Sequence, residues 1–385
     1  MLNMVNGSLQ NELNRFFQVL NNKPIAENTV SAAAFCKARK KISSQVFSDL
    51  NGTLINTFYE SAHFKKWEGF RLLAVDGSIT KLPYSDELLD YFGIARSHAK
   101  YPAVRMSQLY DLNNKLTIDL QIDSHSTGER NLAINHLENA NSNDLILYDR
   151  GYPAVWFFRM HQDKGVNFCA RVKHDFSNEI KHFIEYNCND RIVDLACVEK
   201  SLRRCKKEGL STAPLKIRLI KVALPFGKTE VLITSLTNRK LYPRKLFSSL
   251  YQRRWGIEED YKVMKCRTTI ENFSGVSVET VLQDIQAKVL SKNITAIAIF
   301  EADELKDNIC HTRKLKYEIN FSQALGLMKD NVIRLLKKRR ARSLVKLLVR
   351  QISKYLSAIR PKRTFKRRDT RRYKEKYPMK YKRSC

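Results

Sequence analysis

The chain is strongly basic and well supplied with apolar residues. Its 385 residues include 69 Lys and Arg against 39 Asp and Glu, which gives a formal net charge of +30. This excess predicts a polyanionic partner, and the 10% aromatic content favours nucleic acid over an anionic lipid surface. The 43% hydrophobic content predicts a packed globular core with basic appendages, as one large domain with insertions or as several smaller domains.

The sequence shows neither of the usual signals of a membrane or secreted protein. Residues 1–6 lack a basic region followed by a long apolar core. The most apolar later stretch, Ile294 to Phe300, is far too short to span a bilayer. We therefore expect a cytoplasmic protein with no membrane partner.

Helical patterns come first along the chain. Ser8 to Leu20 and Val30 to Tyr59 predict two helices, and the second carries a basic run from Lys37 to Lys41. Residues 1–65 therefore predict a helical N-terminal region that binds DNA.

From Phe70 the pattern changes to short buried strands. Leu72 to Val75 predicts a strand that ends at Asp76, and Asp144 to Tyr148 predicts another that delivers Asp149. Further predicted elements are antiparallel strands at Ser107–Asp111 and Lys115–Ile122, helices at Glu129–Ala140 and Ala154–Asp163, and a strand at Asn167–Val172. Residues 66–175 therefore predict the first part of an α/β core.

The rest of the chain divides into three predicted parts. Residues 176–238 predict a β-rich insertion, with strands at Ile192–Ala196, Leu215–Leu224 and Glu230–Leu236. Residues 239–300 predict the second part of the core, ending in a long helix from Val278 to Phe300. Residues 301–385 predict a basic region with an amphipathic helix from Asn331 to Ile359 and a tail, Arg360 to Cys385, that holds 13 Lys or Arg. A membrane surface or a protein partner would also suit that helix, but packing combined with DNA contact is favoured.

The segment from Tyr251 to Lys265 carries four functional groups that share one face if the whole segment is helical. At about 100° per residue, Arg254, Glu258 and Lys265 fall within about 60° of Tyr251. A phenol, a guanidinium, a carboxylate and an ammonium along one face suit a helix that lies on a phosphodiester backbone. This face predicts chemistry on nucleic acid.

Three acidic residues are candidates for that chemistry: Asp76, Asp149 and Glu258. Each has an ordinary alternative, because Asp76 and Asp149 suit turns after strands and Glu258 suits a solvated helix face. In combination, two strand-end aspartates and a helical glutamate can bind Mg²⁺ or Mn²⁺ as a pair of ions about 3.5–4 Å apart. Such a pair activates a water or a 3′-hydroxyl and stabilises the leaving oxygen.

The motifs together resemble those of DDE transposases of the IS4 insertion-sequence family. The resemblance rests on the spaced set Tyr251, Arg254, Glu258 and Lys265, on Asp149-Arg-Gly-Tyr152, on Ala74-Val-Asp76-Gly-Ser, and on Ala34-Phe-Cys-Lys-Ala-Arg-Lys-Lys. It extends from about residue 8 to about residue 300. The spaced set is the most specific of these motifs and the first aspartate block is the least specific.

This resemblance implies an RNase H-like mixed-sheet core, interrupted by a β-rich insertion between the second aspartate and the glutamate. It implies cut-and-paste DNA transposition by a homodimer, which acts on double-stranded terminal inverted repeats and on target DNA with two Mg²⁺ or Mn²⁺ ions per site. Asp76, Asp149 and Glu258 would be the catalytic metal ligands, and Tyr251, Arg254 and Lys265 would bind DNA phosphates. Full-length relatives carry more helical sequence before Gly7, which implies a truncated repeat-binding region.

Several alternatives stay open at this point. An RNase H-like nuclease without strand transfer, or an inactive DNA-binding remnant, would share the same motifs. The base-stacking residue of the family is unassigned, with Phe226 and Tyr242 as weak candidates. The three thiols at positions 188, 197 and 205, with His182 nearby, fit no usual zinc spacing, and reduced structural thiols are favoured.

Overall fold

The computed structural model describes residues 8–61, 63–94, 101–186, 188–223, 229–310, 314–337 and 341–360. The stacking candidate Phe226 and the basic tail after Arg360 lie outside these ranges. The chain divides into two compact units, one formed by Met1–Ala62, Thr80–Val104 and Lys262–Cys385, the other by His63–Ile79 and Arg105–Tyr261.

The described residues form the following elements. The strands are β1 (Arg71–Lys81), β2 (Ala103–Asp111), β3 (Leu116–Ser124), β4 (Asp144–Tyr148), β5 (Asn167–Val172), β6 (Asp190–Leu195), β7 (Leu215–Ala223), β8 (Thr229–Thr234), β9 (Lys316–Ile319) and β10 (Leu356–Ile359). The helices are α1 (Leu9–Asn21), α2 (Ala32–Arg39), α3 (Gln45–Ser61), α4 (Asp86–Phe92), α5 (Glu129–Asn135), α6 (Val155–Asp163), α7 (Asn178–Glu185), α8 (Glu199–Lys207), α9 (Lys245–Gln252), α10 (Trp255–Cys266), α11 (Val278–Cys310), α12 (Phe321–Lys337) and α13 (Arg342–Ile352). A 3₁₀ turn at His136–Asn139 follows α5, which shortens the predicted helix Glu129–Ala140.

A mixed eight-stranded sheet has the order β3-β2-β1-β4-β5-β8-β7-β6. Its centre is parallel, since β4 pairs in parallel with both β1 and β5. From β5 outward the pairs β5–β8, β8–β7 and β7–β6 are antiparallel. Parallel neighbours need a crossover, and α6 provides it between β4 and β5.

The central strands form where the sequence has uninterrupted apolar runs. Residues 72–75 of β1 and 145–148 of β4 are fully buried, as expected for parallel strands covered on both faces. Both runs end at an aspartate, where burial of the chain decreases. The predicted α/β class with a mixed sheet is confirmed, and its RNase H-like character stays a prediction.

The segment predicted as a β-rich insertion does contain strands, but it also contains two helices, α7 and α8, that the sequence did not predict. Ser177 caps α7 by accepting from the backbone N–H of Ile180, and Ile180 and Phe183 form its buried face. In α8 the buried positions are Ser201 and Cys205, which gives a weak apolar period in a mostly charged segment. The strands β6, β7 and β8 extend the same sheet from the edge of β5.

In the other unit, the predicted helix Val30–Tyr59 is wrong as one element. It is two helices, because α2 ends at Arg39 and α3 begins at Gln45. The Arg39 side chain is buried and donates to Gln283 and Asp284 of α11, so the chain must turn after α2. The same unit extends the predicted helix from Val278 well past Phe300, to Cys310.

The predicted helix Asn331–Ile359 is also wrong as one element. It comprises the end of α12, then α13, then β10, which pairs antiparallel with β9 through Leu356 and Ile319. The reason is tertiary: Met328, Val332 and Leu348 pack into one apolar cluster with residues of α11 and β9. A single straight helix would bury only one of these faces.

No helix in the described ranges is both long enough and apolar enough to cross a membrane.

Candidate active site

Asp76 and Asp149 lie at the same level of two neighbouring parallel strands. The register pairs Ala74 of β1 with Leu147 of β4, and each aspartate comes two residues later. The prediction that the first strand ends at Asp76 is wrong, because β1 continues through Asp76 to Lys81, whereas β4 ends at Tyr148, just before Asp149. The parallel pairing of the two strands sets the aspartates side by side. The fold therefore brings together two aspartates that are far apart in sequence.

Each aspartate is held locally by a glycine. The Gly77 N–H donates to Asp76 Oδ1 at 2.9 Å, and the Gly151 N–H donates to Asp149 Oδ1 at 2.6 Å. A Cβ on Gly151 would lie 3.0 Å from Asp149 Oδ1, which is closer than ordinary contact. A larger residue at position 151 would therefore push on the Asp149 carboxylate.

The segment predicted as one helix from Tyr251 to Lys265 is interrupted. Tyr251 lies in α9, Arg254 lies in the turn that follows, and Glu258 lies in α10. The Tyr251 hydroxyl is buried and donates to the Tyr148 carbonyl at 3.2 Å, which ties α9 to the end of β4. In this structure the hydroxyl therefore faces the interior, and its predicted phosphate contact stays a prediction.

Arg254 joins the helix carboxylate to the first strand aspartate. Its Nη2 donates to Glu258 at 2.9 Å, and its Nη1 lies 4.0 Å from Asp76 Oδ2. The guanidinium is 5.2 Å from the ring centroid of Trp255, and its Nε is buried without a hydrogen-bond partner among the described residues. Arg254 is thus a buried cation with unused donor capacity beside carboxylates.

The pKa of Asp76 depends on its burial and on the charges of the other two predicted acids. Burial raises the pKa of Asp76 to about 6, against the opposing effects of the Gly77 N–H and the Arg254 charge. The negative charges of Asp149 and Glu258 raise it further. Desolvated carboxylates that repel one another are typical of a site that receives a cation.

Lys265 is the remaining predicted site residue. It lies on the last turn of α10, in the part of the helix that belongs to the first unit. There its Nζ is 3.8 Å from a carboxylate oxygen of Glu271. Its predicted DNA contact stays a prediction.

The donor set fits a hard divalent cation in chemistry. Asp76, Asp149 and Glu258 offer carboxylate oxygens, which Mg²⁺ and Mn²⁺ prefer. The buried hydroxyl of Tyr152 has no partner in the described structure, and burial raises its pKa well above the ordinary value, with a further contribution from the charge of Asp76. Within the described ranges no three His, Cys, Asp or Glu side chains already stand as a ligand cage, so the fit is one of donor chemistry and charge.

Sequence reasoning missed several residues that line this cluster. The Tyr261 hydroxyl donates to the Asp76 carbonyl at 2.9 Å and so joins α10 to β1. Trp255 leaves about half of its surface exposed next to Arg254. The signals were present, since Tyr152 belongs to the Asp-Arg-Gly-Tyr block and both Trp255 and Tyr261 lie in the spaced motif.

The ring of Tyr242, the second weak candidate for base stacking, already packs against other aromatic rings. Its ring stacks on Trp67 with centroids 6.4 Å apart and contacts Phe70 at 5.7 Å. Among the proposed zinc residues, the Cys197 thiol donates to the Cys205 sulfur at 3.9 Å, and neither cysteine is in a disulfide.

Comparison with known proteins indicates the family of the chain. The family model for the transposase DDE domain matches residues 67–294, which is more than half of the chain. The transposase InsG for insertion sequence element IS4 of Escherichia coli (strain K12) is 24% identical over 308 residues, covering 78% of this chain and 67% of that protein. The putative transposase InsZ of the same organism is 27% identical over 105 residues, covering 26% of this chain and 35% of that protein.

Among solved structures, the chain is similar to a piggyBac transposase in a synaptic complex with hairpin DNA. The TM-score is 0.41 with 9% sequence identity, and the match covers 73% of this chain and 57% of that chain. The family assignment rests on the match to the domain model, and the predicted IS4 resemblance is confirmed by the similarity to InsG. The chain belongs to the DDE transposase family.

Proposed function

We propose that this transposase cleaves DNA at the ends of an insertion sequence and joins the freed ends to target DNA. The observation that carries the proposal is the coupling of three carboxylates, in which the charges of Asp149 and Glu258 raise the pKa of Asp76. Two of them follow paired residues of the parallel strands β1 and β4, and the third is bound by Arg254, which also lies near Asp76. This arrangement suits phosphoryl transfer better than DNA binding alone.

Asp76, Asp149 and Glu258 would hold two Mg²⁺ or Mn²⁺ ions. When bound, such ions activate the attacking water or 3′-hydroxyl and stabilise the leaving oxygen. The raised pKa of Asp76 supports this assignment, because a carboxylate that is costly to ionise alone gains most from a cation. A single set of ligands then serves both the hydrolytic and the joining step.

The remaining residues bind and orient. Arg254 compensates the charge of Asp76 and Glu258 and so holds the two carboxylates near each other. Tyr251 fixes α9 against the end of β4. The half-exposed ring of Trp255 offers a stacking surface for an unpaired base, which neither Phe226 nor Tyr242 is shown to provide.

The substrate would be double-stranded DNA, both the terminal inverted repeats and the target, held by a homodimer in the bacterial cytoplasm. The charge of +30 supports this substrate, since neutralised phosphates release counterions and strengthen binding at low salt. Lys265 would contribute one of the backbone contacts.

The test is cleavage and joining with the DNA that flanks this reading frame. Glu258→Gln should lower Mg²⁺-dependent cleavage by about a thousandfold or more and leave DNA binding largely intact. Glu259→Gln is the matched control, because Glu259 is the exposed neighbour on the same helix. Unchanged cleavage by Glu258→Gln would exclude the assignment.

The same assay separates the alternatives. Hydrolysis without joined products, even with pre-cleaved ends, would indicate an RNase H-like nuclease. Salt-sensitive binding without cleavage in either Mg²⁺ or Mn²⁺ would indicate an inactive DNA-binding remnant.

A further inference from the structure

The first turn of α5 contacts both chain segments that follow the predicted catalytic aspartates. Arg130 and Glu129 are adjacent in sequence, and neither belongs to the motifs of the family resemblance. Their side chains reach two different glycines, Gly151 and Gly77. This geometry gives α5 a role that its short length does not suggest.

Arg130 holds the turn after Asp149. Its Nε donates to the carbonyls of Gly151 at 3.1 Å and Tyr152 at 3.0 Å, and its Nη2 donates to Gly151 again at 2.8 Å. A guanidinium presents these donors in a fixed planar fork, which a lysine ammonium cannot copy. One side chain therefore fixes two successive peptide groups of the turn.

The turn held by Arg130 also holds the Asp149 carboxylate. The residue whose carbonyl Arg130 binds, Gly151, donates its own N–H to Asp149 Oδ1 at 2.6 Å. Displacement of the Gly151 peptide would therefore move the oxygen of Asp149.

Glu129 lies beside the other strand, next to Gly77. Its Oε1 lies 3.4 Å from the position that a Cβ on Gly77 would occupy, and it pairs with Arg105 of β2 at 3.0 Å. Gly77 donates its N–H to Asp76 Oδ1 at 2.9 Å. Both aspartates thus accept at Oδ1 from a following glycine. Arg130 binds the carbonyl of the second glycine, and Glu129 lies beside the first.

We propose that Arg130, assisted by Glu129, is a positioning residue that holds Asp149 and Asp76 at the separation needed for strand cleavage. The proposal rests on the proposed function of these aspartates. Arg130 acts through the backbone and through Asp149, without touching DNA. Its loss should therefore change how the site uses metal and how fast it cleaves, while the affinity for DNA stays the same.

The experiment measures nicking of supercoiled plasmid DNA by the full chain across a Mg²⁺ titration, together with plasmid affinity at fixed salt. Arg130→Ala should lower the maximal nicking rate by about 10–100-fold and raise the Mg²⁺ concentration for half-maximal nicking, as loss of a supporting shell usually does. Arg130→Lys should behave like Arg130→Ala, because it keeps the charge but loses the fork. Millimolar guanidinium chloride should restore part of the activity of Arg130→Ala and none of the activity of Asp149→Asn.

The control is Arg203→Ala, which removes an arginine of the same unit whose partner is Glu199, one turn earlier in α8. It should leave both the rate and the Mg²⁺ requirement unchanged. Wild-type rate and Mg²⁺ requirement in both Arg130 variants, with Asp149→Asn inactive, would overturn the inference and keep the proposed function. Equal nicking by wild type and Asp149→Asn would instead overturn the proposed function. If Arg130→Ala fails to fold, Arg130→Lys decides, since wild-type behaviour there would also overturn the inference.

Discussion

Two buried arginines, one in each unit, stand in opposite situations. Arg39 directs every guanidinium nitrogen at a partner: Nε to Gln283, Nη1 to Ser274, and Nη2 to both Asp284 and the Thr280 carbonyl. Arg254 is equally buried, but its Nε has no partner among the described residues. Its second carboxylate contact, to Asp76, is 4.0 Å long.

The difference separates a structural network from a binding network. A buried cation whose donors are all satisfied stabilises the fold and leaves no capacity for a ligand. A buried cation with an unused donor beside desolvated carboxylates costs stability, and such a cost is in keeping with the proposed role of Arg254 in a binding site. The comparison predicts that changes at the first network impair folding, whereas changes at the second impair activity.

The largest expected loss of stability follows from replacing Arg39, whose donors all have partners. Arg39→Met keeps the length of the side chain but leaves Asp284 buried without its cation, and we expect a loss of about 3 kcal/mol in the free energy of unfolding. Urea denaturation measures it. The double variant Arg39→Met with Asp284→Leu should recover part of this loss, because it removes the stranded charge. A loss below about 1 kcal/mol in the single variant would contradict the comparison.

Replacement of Asp76 should change the unfolding free energy by a smaller amount, and should raise it. Its pKa of about 6 in the folded protein exceeds the ordinary value of 3.8, so ionisation of Asp76 opposes folding. This destabilisation is absent below about pH 4, grows as pH rises, and is complete above about pH 6. Asp76→Asn should therefore raise the unfolding free energy by about 1–3 kcal/mol above pH 7 and by almost nothing at pH 4.

The measurement is Tm against pH in EDTA, with Asp163→Asn at the exposed end of α6 as the control. An equal gain at pH 4 and pH 8 would show that ionisation of Asp76 is not the cause. The same variant should have no Mg²⁺-dependent cleavage, which is how stability and activity oppose each other at such sites.

The smallest effect is expected at Tyr251, which tests the assignment of its hydroxyl. If the role of the hydroxyl is to donate to the Tyr148 carbonyl, Tyr251→Phe should lower the unfolding free energy by about 1 kcal/mol and leave plasmid affinity unchanged. A salt-dependent loss of DNA affinity without loss of stability would return Tyr251 to the phosphate contact that the motif predicts. Tyr242→Phe, whose ring packs on Trp67, is the control for losing a hydroxyl.

The elements predicted best from sequence were those whose signal is complete within a few residues. The apolar run of β1 up to Val75 and the run of β4 up to Tyr148 were each predicted as a strand, and both strands are present. Only β4 ends before its aspartate, because β1 continues to Lys81. The prediction was wrong wherever a distant partner decides the conformation. The helix expected from Val30 is interrupted after Arg39, whose guanidinium binds Asp284 of α11. The helix expected to reach Ile359 is replaced at its end by β10, which pairs with β9.

The same division applies to the candidate site. The sequence by itself determined which side chains are available, because charge, strand-end aspartates and the spaced Tyr, Arg, Glu and Lys set are properties of short segments. The tertiary structure decided that β1 and β4 are parallel neighbours with Ala74 opposite Leu147, which brings Asp76 level with Asp149. It also decided that a turn at Arg254 separates α9 from α10, and that Arg130 reaches the turn after Asp149. These outcomes depend on pairing and burial between segments far apart in the chain, and such long-range contacts are chosen by the packing of the whole unit and not by local propensity.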